Sequence, residues 1–249
     1  MFGLFKKKNP NSHIKPNEAG THFERHLYYA QNGGLMYQFY TGYDYALGVK
    51  KGDAKHPAGV HQDVPTAITY LEKAAEKDVE KAQEMLGLIY FGKLGEAYLN
   101  LEKSFYWFSK AAEHGNASAQ YMIAIFYENG VIVDKNLDTA YHWYLEAASN
   151  GDEGAMGSLC EIYRNRALEI SPEEANGSKR KLFRDNVELS FKWGKKASDL
   201  GNYEAAYLTG VAYYSGFGVA EDKNEAKKYL QFSAKNGNAN AQQFLAEHF

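Results

Sequence analysis

Eight histidines (His13, His22, His26, His56, His61, His114, His142 and His248) and one cysteine, Cys160, are the side chains of this 249-residue chain best suited to metal or nucleophilic chemistry. A zinc site needs ligands grouped at short, characteristic spacings, and no HExxH or CxxC grouping occurs. The nearest approach is His22 with His26, which at i, i+4 would share one face of a helix. The only carboxylate beside them, Glu24, would face elsewhere, so a packing role is read for the pair and no metal is assigned. Cys160, Glu161 and Arg164 are the one local group that could supply a nucleophile and charged helpers. Cys160, however, stands where related segments carry a small residue, which points to packing rather than reactivity. No Ser-His-Asp order and no phosphate-cradling loop stand out; Gly92 to Gly95 and Gly216 to Gly218 read as links. The expectation is a chain with no catalytic residues and no cofactor, not an enzyme.

Composition narrows the remaining classes. The formal net charge of −3 offers no basic field for phosphate backbones, so nucleic acid is set aside as a partner. No window of about 18 uninterrupted apolar residues occurs, and no membrane span is expected. A single cysteine rules out an internal disulfide framework and fits a reducing compartment, so a cytoplasmic protein is expected. The start, Met1-Phe2-Gly3-Leu4-Phe5-Lys6-Lys7-Lys8, has apolar residues before its lysines, the reverse of a secretory signal. Residues 1–20 read as a flexible lead-in. With 45% apolar residues and only five prolines, the rest is free to form helices around a core.

The elements that position these residues are revealed by self-comparison. Trp107 recurs as Trp143, Trp193 and Tyr229, at steps of 36, 50 and 36 residues. Each ring is followed by a small pair (Ala111-Ala112, Ala147-Ala148, Ala197-Ser198, Ser233-Ala234) and then by Gly115, Gly151, Gly201 or Gly237. Between them run Ala82, Ala119, Ala155, Ala205 and Ala241, each about eight residues ahead of an aromatic ring (Tyr90, Tyr127, Tyr163, Tyr213, Phe249). The step of 50 contains an insertion of 14 residues around Ser171 to Ser178, which is assigned to a loop; a second insertion covers 49–58. Ala119, Ile123, Ala124 and Tyr127 lie on one helical stripe, and Ala140, Trp143 (or Tyr144) and Ala147 on another. A lone helix pair cannot bury both stripes, so neighbours must stack. The fold class is therefore all-α: a solenoid of stacked antiparallel helix pairs with a concave face. The expected boundaries are a half-repeat at 21–33, pairs at 34–78, 79–115, 116–151, 152–201 and 202–237, and a terminal capping helix at 238–249, all in a single domain.

The run Tyr213-Tyr214-Ser215-Gly216-Phe217-Gly218-Val219-Ala220-Glu221-Asp222, followed by Ala226, Tyr229, Ala234 and Gly237, resembles the Sel-one-like repeat, a relative of the tetratricopeptide repeat. The resemblance covers residues 21–249, with departures at 93–100, where the glycine-rich link is replaced, and at 164–185. It implies a protein-binding scaffold, adaptor or regulator, or alternatively an immunity protein that neutralises a bacterial toxin by occlusion. The cysteines that secreted relatives pair within each repeat are missing here.

Alignment of Ala124 with the small residue of a tetratricopeptide first helix gives the inward positions of each pair. These are Met36, Phe39, Tyr43 and Ala46; Lys81, Glu84, Leu88 and Phe91; Ser118, Tyr121, Ile125 and Glu128; Gly154, Gly157, Glu161 and Arg164; and Glu204, Tyr207, Val211 and Tyr214. Phe39, Tyr43, Leu88, Phe91, Tyr121 and Ile125 are expected to form an apolar trough for a partner segment, rimmed by Glu84, Glu128 and Arg164, with Tyr207 and Tyr214 further along. The competing reading is that these rings pack on one another.

Overall fold

The computed structural model describes residues 22–49, 59–170 and 177–249. The lead-in, most of the 49–58 insertion and residues 171–176 lie outside them. Twelve α-helices follow in order among the described residues: α1 His22–Gln31, α2 Leu35–Leu47, α3 Val64–Ala75, α4 Glu80–Tyr90, α5 Leu101–Glu113, α6 Ala117–Asn129, α7 Leu137–Ser149, α8 Glu153–Leu168, α9 Gly177–Asp199, α10 Tyr203–Ser215, α11 Lys223–Lys235 and α12 Ala239–His248. The only extended pairing among them is an isolated antiparallel bridge between Val49 and Val60. The all-α class and its paired helices are thus observed. Contacts gather the chain into one compact unit ending at His114 and a second running from Gly115 to Phe249.

Short polar residues set where the helices begin. Backbone amides exposed at a helix start need an acceptor, and Asx side chains supply one. Ala119 N donates to Asn116 Oδ1 at 2.8 Å, Ala155 N to Asp152 Oδ1 at 2.7 Å and Ala205 N to Asn202 Oδ1 at 2.8 Å. The residue ahead of each cap is a glycine at positive φ (Gly115 +86°, Gly151 +99°, Gly201 +108°), so the preceding helix stops and the chain reverses within two residues. A second device ties successive pairs in the first unit: Gln38 and Gln83 are buried and donate to the carbonyls of Ala30 and Ala75, eight residues back on the preceding helix. In the second unit Gln242, which is exposed, donates likewise to the Ala234 carbonyl.

Within each pair the helices meet through a knob and a socket. Gly42 faces Leu71, Gly87 faces Phe108, and Gly210 faces Leu230; a Cβ on any of these glycines would come within 2.7 Å of the facing side chain. In the second unit Ala124 and Tyr144 hold the equivalent positions and are both buried. The knob is therefore Leu71, Phe108, Tyr144 or Leu230, one residue after the recurring ring. That corrects the expectation for the rings themselves: Trp107 is buried, but Trp143, Trp193 and Tyr229 are only half-buried. One residue is a 100° turn of the helix, so the ring sits at the margin of the stripe and its successor at the centre.

The 14-residue insertion is not wholly a loop. Helix α9 begins at Gly177, sixteen residues before Trp193, whereas α5, α7 and α11 begin six residues before their rings. The added turns dock on the next link: Phe183 packs edge-on against Phe217 at 6.3 Å, and Gly218, at φ +79°, lies against the Val187 carbonyl.

Candidate functional site

The residues expected to face a partner lie on or just after the first helices of pairs in both units. In the first, α2 carries Phe39 into the core, where it is 7% exposed and packs with Leu71 and Trp107 in one apolar cluster. Phe39 is thus a core residue and not part of an open trough, as is Ala46. What α2 turns outward is Met36, Tyr40, Tyr43 and Leu47, between 39% and 49% exposed. Their spacing of four, three and four residues places them along one side of the helix. Sequence reasoning missed Tyr40 and Leu47 because it placed the face one position away. The patch is braced from behind: the His26 ring stacks on Tyr40 at 5.2 Å, and His26 Nδ1 lies 3.2 Å from Asp44 Oδ2, both residues buried. On α4, Glu84 and Leu88 are half-buried; Phe91 follows the helix and is 40% exposed.

In the second unit Tyr121, Ile125 and Glu128 are half-buried on α6. Tyr144 Oη donates to the Glu128 carboxylate at 2.6 Å, so Glu128 is engaged in the pair's interior contact instead of standing at a rim. Burial, with Glu128 beside it, pushes the Tyr144 phenol far above its ordinary range. Tyr121 leans over Gly154, where a Cβ would meet its ring at 3.1 Å. Together with Glu161, Glu204 and Asn202 it borders a polar hollow of about 150 Å³. Tyr207 and Val211 are half-buried on α10. Tyr214 is covered by α12, its ring 5.1 Å from Phe244 and 5.8 Å from Phe249. The structure therefore brings together Tyr121, Glu161 and Glu204, but withdraws Glu128 and Tyr214 into packing.

Cys160 is buried, and burial pushes its thiol up to about 11, so it is a thiol and not a nucleophilic thiolate at neutral pH. Arg164 and Cys160 line one hollow, whereas Glu161 lines another. Among the described residues no group of three or more His, Cys, Asp or Glu side chains could hold a metal ion. The His22 side chain lies outside the described residues, and His26 is engaged with Asp44. No described helix is long and apolar enough to cross a membrane.

The family model described as Sel1 repeat matches residues 36–79, 80–116, 117–152, 175–202 and 204–238. Among solved structures, a protective antigen of uropathogenic Escherichia coli displaying an SLR fold is similar over 90% of this chain, with 26% identity and a TM-score of 0.71. This chain covers 43% of that antigen's length. A Sel1 repeat protein from Oxalobacter formigenes is similar over 86% of this chain and 78% of its own, with 25% identity and a TM-score of 0.65. A comparison with curated proteins gave no match.

Proposed function

From the premise that this chain belongs to the Sel1 repeat family, we propose that it is a non-catalytic protein-binding module whose principal contact is the outward side of α2. The observation that carries this reading is the stripe of Met36, Tyr40, Tyr43 and Leu47, large apolar side chains each more than a third exposed in a row about three turns long. Tyrosine supplies wide apolar contact with a polar tip and little rotamer entropy to lose, which suits a surface that is wet when free and covered when bound. A row of this length and chemistry fits one apolar side of a partner helix. Phe91 in the same unit is the accessory contact we assign, with Glu84 as a polar flank.

The test is affinity purification from the native host, followed by binding measurements with the identified partner and the Tyr40→Ser/Tyr43→Ser double variant. Both side chains are exposed, so helicity and melting should stay near wild type while affinity falls at least about tenfold. A folded double variant that binds its partner at wild-type strength removes the stripe from the interface. Should the partner be a toxin whose activity the chain suppresses, the module is an immunity protein; a regulator or assembly factor makes it an adaptor.

A further inference from the structure

Four helix pairs place a large knob at one position of the second helix, Leu71, Phe108, Tyr144 and Leu230; the remaining pair, α8–α9, places Gly194 there. The consequence is legible by comparison with the pair α6–α7. There the Tyr144 ring lies in a cluster with Ala124, contacts Ser158, and donates its hydroxyl proton to Glu128 at 2.6 Å. The repeat steps of 36 and 50 residues turn Ala124, Glu128 and Ser158 into Cys160, Arg164 and Leu208. All three line a cavity of about 190 Å³ between α8, α9 and α10. Where the preceding pair has a ring and a carboxylate, this one has the Cys160 thiol, 2.8 Å from where a Gly194 Cβ would sit, with a cavity and a guanidinium beside it.

The remaining surroundings define what could fill the space. Phe191, Val211 and Phe217 make apolar walls, and among the described residues no carboxylate lines the cavity. Its hydroxyls are committed to backbone carbonyls: Ser190 donates to Cys160 O at 2.9 Å, Thr209 to Ala205 O at 2.9 Å and Ser215 to Val211 O at 2.8 Å. Arg164 is exposed and has no hydrogen-bond or ion-pair partner among the described residues. Among the described residues it is the one charged group of the lining, itself exposed, over a floor of buried Cys160, Thr209 and Ala212. Apolar cavities of about 150 Å³ accept a benzene ring, so this one has room for a ring and a short chain.

We propose that this cavity binds a small carboxylic acid with an apolar, ring-sized body, the body lying between the Cys160 floor and the Phe191 and Phe217 walls and the carboxylate pairing with Arg164. The ion pair supplies orientation and the apolar walls supply most of the affinity. The site is separate from the α2 stripe, and its occupancy does not depend on the protein-binding assignment.

The experiment is calorimetric titration of the full chain with 3-phenylpropionate, and with 3-phenylpropionamide as its uncharged counterpart. Saturable one-to-one binding of the acid, with a Kd of about 1 mM or below, is expected. The amide should bind at least about tenfold more weakly, and Arg164→Gln should weaken the acid by a similar factor while leaving the amide unchanged. Leu208→Trp, which projects a large side chain toward the same space, should abolish binding of both, with melting curves confirming that each variant is folded. The proposal is overturned if the acid does not saturate, if acid and amide bind equally, or if Arg164→Gln leaves the acid's affinity intact. Arg164 is exposed, so its variant decides the matter even if Leu208→Trp fails to fold.

Discussion

At the residue scale, the fold is a set of size matches that repeat with one reversal. Gly87 accepts Phe108 so closely that a methyl group would come within 2.7 Å of two ring carbons. Gly87→Ala gains about 1 kcal/mol of helix propensity but must displace a fully buried ring, so a net destabilisation of about 1–2 kcal/mol is expected in urea unfolding. In the fourth repeat the sizes are exchanged: Cys160 takes the place of a glycine or alanine, and Gly194 that of the knob, with the thiol 2.8 Å from where a Cβ would sit. The Cys160 substitution was readable from the sequence as a packing residue, but its partner was not. The sequence comparison followed the conspicuous tryptophans, and the true knob is their neighbour. Burial also gives Cys160 a pH signature. Its folded pKa, about 11, exceeds its ordinary value of 9.0, so the native state holds the proton more tightly than the unfolded chain. Stability from this group is fully present below pH 9 and is lost as pH rises toward 11. Cys160→Ala should therefore flatten the decline in unfolding free energy between those values, and the wild-type thiol should resist alkylation at neutral pH until the protein unfolds. Buried tyrosines such as Tyr163, raised to about 12, add to the alkaline loss at higher pH and are common to both proteins.

At the element scale, helix order was legible because caps, small pairs and glycine stops recur with the period. Asn116, Asp152 and Asn202 each follow a glycine and each accept the amide three residues on. The insertion was legible in position but not in form. Its polar composition and Pro172 suggested a loop, yet Lys179 to Glu188 continue α9, because Phe183 and Val187 find a surface to cover in the link after α10. Tertiary packing thus extended a helix that local polarity alone did not require. Gly218 is the point of closest approach. A side chain there would combine a left-handed φ of +79° with a collision against the Val187 carbonyl, and neither neighbour is a flexible tip. Gly218→Ala should cost about 2–4 kcal/mol, measured by denaturant unfolding, whereas Gly115→Ala, with open space around it, should show only the smaller cost of strained backbone.

At the scale of the whole molecule, the periodic sequence announces a fold but leaves its surface less determined. A repeat fixes which positions recur, and recurrence tracks burial between neighbours; the outward positions are free to vary and carry no such signal. A single-residue shift then decides everything about a side chain's role, as Phe39 in the core and Tyr40 in solvent show. The exposed α2 stripe is therefore a finding of the structure, and its chemistry dictates how binding should respond to conditions. Met36, Tyr40, Tyr43 and Leu47 carry no charge, and the chain's formal net charge is only −3, so neither the contact nor the approach of a partner draws much on long-range electrostatics. Between about 50 and 500 mM salt the Debye length shrinks several-fold, which weakens charge-driven association steeply but leaves apolar burial intact. The Kd for the purified partner should change by less than about threefold over that range, and Tyr40→Ser/Tyr43→Ser should weaken binding equally at both ends of it. A Kd that rises by orders of magnitude with salt would instead place the contact on charged positions, and the α2 stripe would lose its assignment.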